Sequence, residues 1–470
     1  MLATGFKWKI CIDMTWDRSQ ITALAPDAAS IKAASKLTSV AKWPLLEYSE
    51  RAVWGHCQGS GKKPYLTTID LSEPAFKCSC PSRKFPCKHA LALFVLYAEQ
   101  QQDFSQNDSP DWVSDWLSSR DKRQETKAKK QTSAKPVDEK AQQKRAAERA
   151  QSAANAVTDL KLWLGDMLHS GLAEVVAQPY SYWQQMSKRM VDAKAVGLAN
   201  RVKRLGEIAA SGSDGLSMLS LSIGQLNLLL NAYERLESLP NDIQQDVRQV
   251  IGFTINEQQL IAEQTALEDK WLVLSRLRYA ENNLINQMTW LQSCSDGRTA
   301  MVLEFAHRSA LGSLSNFLAG AVLSGSFYYY PSASPVRGRF VGNVTVNKDS
   351  NQSSLPVKTF SLGEMLNDFA KQKTLNPWFE NQCYCLSNVA FSMQAIMPDL
   401  PKLPIMTDCS DESSKTLMAT IKHCDWWRLL ALSGGMPVTA AVSFDGMKVR
   451  PLGVWVGEVF YHLAEAEQSQ

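Results

Sequence analysis

One stretch constrains this chain more than any other: Phe76-Lys77-Cys78-Ser79-Cys80-Pro81-Ser82-Arg83-Lys84-Phe85-Pro86-Cys87-Lys88-His89. Within twelve residues it sets three cysteines and a histidine in the order C-x-C-x6-C-x-H. Three thiolates and an imidazole are the donor set of a closed tetrahedral Zn²⁺ site, and metal–ligand distances of about 2.0–2.3 Å leave the backbone little slack. A C-x-C pair brings both sulfurs to one metal only where the chain turns between or just after them, and Pro81 favours such a turn. His89 opens onto residues 90–99, an Ala- and Leu-rich run with no helix breaker. Upstream, residues 51–58 and 65–71 read as strands on either side of the Gly- and Pro-bearing turn 59–64. The expected unit is a small ββα finger stapled by one structural zinc. Four protein ligands leave no position for a catalytic water. The expected task of the metal is to staple a segment whose own core is too small to fold alone. His56 and Cys57 are surplus to four-coordination, and Cys57 reads as a buried strand residue.

This arrangement resembles the SWIM zinc finger, a C-x-C-x(n)-C-x-H pattern followed by an apolar helix, over about residues 54–97. The resemblance implies Cys78, Cys80, Cys87 and His89 as the zinc ligands. The wider chain is similar to a bacterial family of SWIM-containing proteins. Residues 53–61, 80–91 and 111–117 carry that likeness, together with Arg189-Met190-Val191-Asp192-Ala193. It implies protein partners, among them a MoxR-type AAA+ ATPase and a von Willebrand A-type protein.

At 470 residues the chain exceeds what one hydrophobic core serves, so two to four domains are expected. The fold class is α+β and multidomain, in four parts. Residues 1–118 hold the finger, 119–150 form a charged linker, 151–251 a helical bundle, and 252–470 a mixed, mostly antiparallel β domain. Within the first part, residues 7–14 have strand character, and residues 27–37 read as a short helix capped by Asp27. Trp112 and Trp116, four apart, mark a helix that packs back on the finger. Residues 120–149 carry eleven Lys and Arg against five Asp and Glu, which reads as a solvated linker or helix. Helical spacing then runs through Val157, Leu160, Leu164 and Leu168, through Trp183, Met186 and Met190, and through Leu198, Val202, Leu205 and Ile208. A fourth face holds Leu219, Ile223, Leu226, Leu230 and Tyr233. Strand signals follow at 271–279, 299–306, 325–331 and 339–346. A helix is expected over 361–372, and a hairpin of 438–444 and 449–456 turns at Asp445-Gly446.

Lys62, Lys63, Arg83, Lys84 and Lys88 surround the expected metal and are the candidate contacts for a partner or for nucleic acid. Arg83 and Lys84 lead, because they lie on the knuckle between the two ligand pairs. Cys383, Cys385, Cys409, His423 and Cys424 form a second constellation, but their wide spacing and strand-like setting favour core cysteines over a second metal. The chain lacks a G-x-x-x-x-G-K-[ST] phosphate loop, an H-E-x-x-H helix and a G-x-S-x-G elbow, so no enzyme is expected. No apolar run would span a bilayer and the opening residues lack a signal-peptide core, so a reducing cytoplasm is the expected setting, with no membrane and no small-molecule substrate. The expected function is a zinc-stapled interaction protein whose finger meets a protein partner. The alternatives are DNA binding through the finger and basic linker, and an enzyme with an unrecognised C-terminal site.

Overall fold

The computed structural model describes residues 18–463, apart from 23, 27, 60, 62, 73, 83, 133–138, 212–214, 282–283, 308–313, 347–355, 395–402, 411–414 and 422. The expected strand at 7–14 and the Asp27 cap lie outside the described residues.

The N-terminal part comprises helices α1 (Arg18–Thr22) and α2 (Ala28–Ser35), strands β1 (Leu45–Tyr48), β2 (Ala52–Cys57), β3 (Tyr65–Asp70) and β4 (Ala75–Cys78), helix α3 (Lys88–Glu99), the short β5 (Ser105–Gln106) and helix α4 (Asp111–Thr132). The strands form one sheet in the order β4-β3-β2-β1-β5. β2 and β3 pair as the expected antiparallel hairpin, with Cys57 opposite Tyr65. Strand alternation divides the two faces. Val53, Cys57, Ile69 and Phe76 turn toward α3, whereas Ala52 and Trp54 meet Val113 and Leu117 of α4 on the opposite face. The Trp112/Trp116 helix therefore docks as its spacing predicts, and Trp54 Nε1 donates to Glu47 at 2.8 Å beneath it. Asp70, buried at the sheet end, accepts from Arg120 at 3.2 Å, and Arg51 bridges it to Asp121 of α4.

Burial in this part changes one expectation. The helix after His89 is no exposed surface: from Ala90 to Tyr97 no residue is more than 3% exposed. β2, β3 and β4 lie on one side of it, and α1 and α2 also pack against it. Nor is the segment short of core, because its apolar cluster runs from Ile21 to Phe104 and takes in Leu318 from far along the chain. The zinc therefore fastens the knuckle of a domain that already has an interior.

The charged linker is helical wherever it is described. α4 reaches Thr132, and α5 (Glu139–Ser170) carries the second half of the charged stretch into the bundle. α5 packs with α6 (Leu172–Val176), α7 (Tyr180–Asp192), α8 (Val196–Ala209), α9 (Leu216–Glu234) and α10 (Asn241–Ile251). The predicted faces form the core, with one correction: Leu168 points to solvent at 48% exposure, and Met167 takes the inward position. Gly197 lets α8 cross α10 closely, since a Cβ there would stand 1.9 Å from the Val250 carbonyl.

After α11 (Glu257–Glu263), the expected single β domain resolves into two sheets. Strands β6 (Leu267–Glu281), β7 (Leu284–Ser293), β8 (Thr299–His307), β9 (Val322–Tyr329) and β10 (Arg337–Val346) close into a barrel. Helix α12 (Leu362–Leu375) follows, its N-terminus held by a Ser361/Glu364 capping box. Strands β11 (Gln382–Gln394), β12 (Leu403–Asp408) and β13 (Thr416–Met418) come next. Helix α13 (His423–Ser433) then precedes β14 (Val438–Phe444), β15 (Val449–Val456) and β16 (Val459–His462). These strands make a six-stranded antiparallel sheet in the order β13-β12-β11-β14-β15-β16. The β14–β15 hairpin matches its prediction residue for residue.

Side chains of the β-rich half enter the cores of the other domains. Leu318 sits in the finger's core, and Trp378 sits in the bundle's, with its Nε1 donating to the Gln225 carbonyl at 3.4 Å. Asp246 of α10, 4% exposed, accepts from the amide of Ala333 at 3.0 Å and ties bundle to barrel.

Candidate metal centre

The site is assembled from two local elements. Cys78 is the last residue of β4 and Cys80 lies just beyond it. Cys87 is the N-cap of α3 and His89 its second residue. Ser79, between the first two ligands, locks the turn to β3. Its amide donates to the Leu66 carbonyl and its hydroxyl accepts from the Leu66 amide, both at 2.9 Å. Phe85 packs edge-on against Phe76 at 5.9 Å, drawing the knuckle back over the core. The Tyr65 ring stacks on the His89 imidazole at 4.8 Å and sets its plane.

The four donor atoms lie within 4.8 Å of one another, and Cys78 Sγ is 3.7 Å from His89 Nδ1. A tetrahedron with Zn–S bonds of about 2.3 Å has edges of about 3.8 Å, so the cage is the right size for zinc. Thiol chemistry agrees. The Cys78 thiol is lowered to about 4, first by a hydrogen bond from the Cys87 thiol and then by His89 and Thr67. Cys87 is pushed up by the same shared hydrogen bond and by burial, and Cys80 by burial. The directions single out Cys78 as the thiol whose neighbours most favour the thiolate form that a metal ligand needs. The amides of Cys80, Ser82 and Ala90 donate to Cys78, Cys80 and Cys87 in turn, so each sulfur has a backbone donor behind it. When bound, the zinc supplies cross-linking; the residues supply the cage. All four donors come from the protein, which makes the site structural.

The remaining candidates divide. Lys63, Lys84 and Lys88 are exposed around the cage, whereas Lys62 and Arg83 lie outside the described residues. Cys57 is fully buried beside the site, its thiol pushed up to about 11 chiefly by burial. Cys383 and Cys385 are buried between barrel and sheet with both thiols raised by burial, and Cys409 is exposed elsewhere. His423 begins α13, and the side chains of His423 and Cys424 lie outside the described set. Among the described residues, the Cys78–His89 cage is the one group with metal-ligand geometry. Sequence reasoning missed the amide donors and the Tyr65 stack, because both depend on the turn that the cage itself adopts.

The cage, the strand pair before it and the helix behind it define a structural Cys₃His zinc finger. Residues 65–98 match the family model of the SWIM zinc finger, and residues 148–251 match the SWIM-associated four-helix bundle domain. The chain therefore carries a SWIM finger together with its associated bundle, and binds one structural zinc. No curated protein and no solved structure matches it. No described helix is long and apolar enough to cross a membrane.

Proposed function

We propose that this protein is a non-enzymatic scaffold whose finger offers the zinc knuckle, residues 79–88, to a protein partner in a bacterial assembly. The burial of α3 carries this reading. A finger that reads DNA presents a helix to a groove, and here the helix is enclosed. What remains outward is the knuckle: Pro81, Ser82, Lys84 and Lys88 exposed, with Phe85 half-buried. Three thiolates on a dication leave the cage at −1, and exposed Lys77, Lys84 and Lys88 border it. Such a patch suits an acidic, partly apolar protein surface. The described start of the charged helix α4 packs through Val113 and Leu117 on the face of the sheet opposite α3, away from the helix that backs the cage. The family resemblance makes a MoxR-type AAA+ ATPase and a von Willebrand A-type protein the first partners to test.

The test is affinity purification of the tagged full chain from its native host, beside Lys84→Glu/Lys88→Glu. The expected result is a protein partner captured by the unaltered chain and lost by the variant, with zinc content equal in both. A mobility shift on duplex DNA that weakens steeply as salt rises, together with no captured protein, would replace this reading with the DNA one.

A further inference from the structure

Three consecutive residues in the loop between β8 and β9 point into three different cores. Phe317 joins the barrel interior with Trp271 and Phe327. Leu318, 3% exposed, joins the finger's core, which also holds Phe76 and Cys87. Ala319 joins the core shared by barrel and six-stranded sheet. The segment is pinned at both ends. Ser315 donates from its amide and hydroxyl to Glu304 of β8, at 3.2 and 2.8 Å, while its carbonyl accepts from Gln287 of β7 at 2.7 Å. Gly320, at φ +86, turns the chain so that its amide donates to the Val273 carbonyl at 2.7 Å. Between these anchors, Asn316 Nδ2 donates to the Pro74 carbonyl at 2.8 Å. Pro74 is the residue before β4, and β4 ends in the zinc ligand Cys78.

The strand bearing the first ligand is therefore held at one end by the metal cage and at the other by the barrel loop. Phe76, midway along it, packs in the core that receives Leu318. From this juxtaposition we propose that residues 314–321 couple the zinc cage to the barrel. Metal in the cage and docking of Leu318 and Asn316 favour each other, so loss of zinc loosens the finger from the barrel. The inference rests on zinc occupancy, and it makes the barrel a sensor of the state of the finger. Coupling between two such sites is reciprocal in binding free energy. Weakening the docking must then weaken zinc binding by the factor with which zinc strengthens the docking.

The experiment measures zinc transfer from the full chain to a chromophoric chelator, for the unaltered protein, Leu318→Asp, the milder Leu318→Ala, and Asn316→Ala. Leu230→Ala, a fully buried bundle position, controls for general loss of stability. Hydrogen exchange over 315–321 is followed with and without excess chelator. The docking variants are expected to lose zinc affinity within the usual coupling range of about 5–150-fold, with Leu230→Ala unchanged. Chelation is expected to raise exchange over 315–321 while α9 stays protected. Docking variants that keep their bundle protection and bind zinc within twofold of the unaltered chain would overturn the coupling. So would full protection of 315–321 after the metal is removed, or an equal loss of affinity in Leu230→Ala. An unaltered chain that binds no zinc would instead overturn the metal assignment itself.

Discussion

Replacing Cys87 by serine separates what the metal holds from what the core holds. Structural zinc in small fingers is worth an apparent ~10–16 kcal/mol at neutral pH. One ligand of four then carries about 2.5–4 kcal/mol, a loss of affinity of about 60- to 700-fold at about 1.4 kcal/mol per tenfold. Serine is itself a favoured N-cap, so the first turn of α3 keeps its capping residue and the loss falls on the metal. The structure also says where the damage stops. Leu91 to Leu96, Ile69 and Val53 are buried in a core that runs from Ile21 to Phe104, in which Cys87 is one member among many apolar side chains. Cys87→Ser should therefore lose its zinc to a chelator at concentrations that leave the unaltered chain loaded. Amide exchange should rise over 79–88 and, through the coupling proposed above, over 315–321. Exchange in β2, β3 and the second half of α3 should stay slow, with far-ultraviolet dichroism nearly unchanged. Retention of zinc at the original affinity would remove Cys87 from the ligand set. Melting of β2 and β3 along with the knuckle would show that the finger's core cannot stand without metal.

Trp378→Ala should destabilise the bundle by about 3–5 kcal/mol in urea unfolding. Trp378→Phe should cost much less, because the 3.4 Å bond to Gln225 is long and contributes little; a cost for Trp378→Ala within about 0.5 kcal/mol, as at a surface position, would remove Trp378 from the bundle core. Burial raises the carboxyl pKa of Asp246 above the ordinary 3.8. A raised folded-state pKa means stability that is full below the ordinary value and is lost as pH rises through the shifted one. Asp246→Asn keeps an acceptor for Ala333 without that loss, so its stability relative to the unaltered chain should climb as pH increases from acid toward neutral; a flat difference in Tm across that range would refute it. Cys409, exposed, should alkylate quickly in the native zinc-loaded chain, whereas Cys383 and Cys385, buried with raised thiols, should react only on unfolding, as read by peptide mass mapping. Fast native labelling of Cys383 would contradict the barrel–sheet core.

The zinc cage was legible in sequence because its determinants are local. Four ligands within twelve residues, a proline at the turn and a breaker-free helix leave few conformations that satisfy the chemistry. The bundle was legible for the same kind of reason, since apolar spacing of three and four reports one helix face at a time. Spacing misleads where two neighbours compete for that face, as Met167 and Leu168 do, because only the packed partners choose between them. The β-rich half was legible strand by strand where turns are strong, as at Asp445-Gly446. The closed barrel was not, since closure is set by pairing between strands far apart, such as β6 with β9.

The sequence by itself thus determined the metal, its ligands and the helical and extended character of most of the chain, because these follow from spacing along the backbone. Tertiary structure alone decided that α3 is enclosed, that the start of α4 packs on the far side of the sheet, and that Leu318 and Trp378 serve domains other than their own. The reason is physical: an apolar residue states only that it must be buried, and nothing in its neighbours along the chain says against what. The knuckle faces outward while α3 behind it is enclosed by the sheet, by α1 and α2 and by Leu318 from far along the chain.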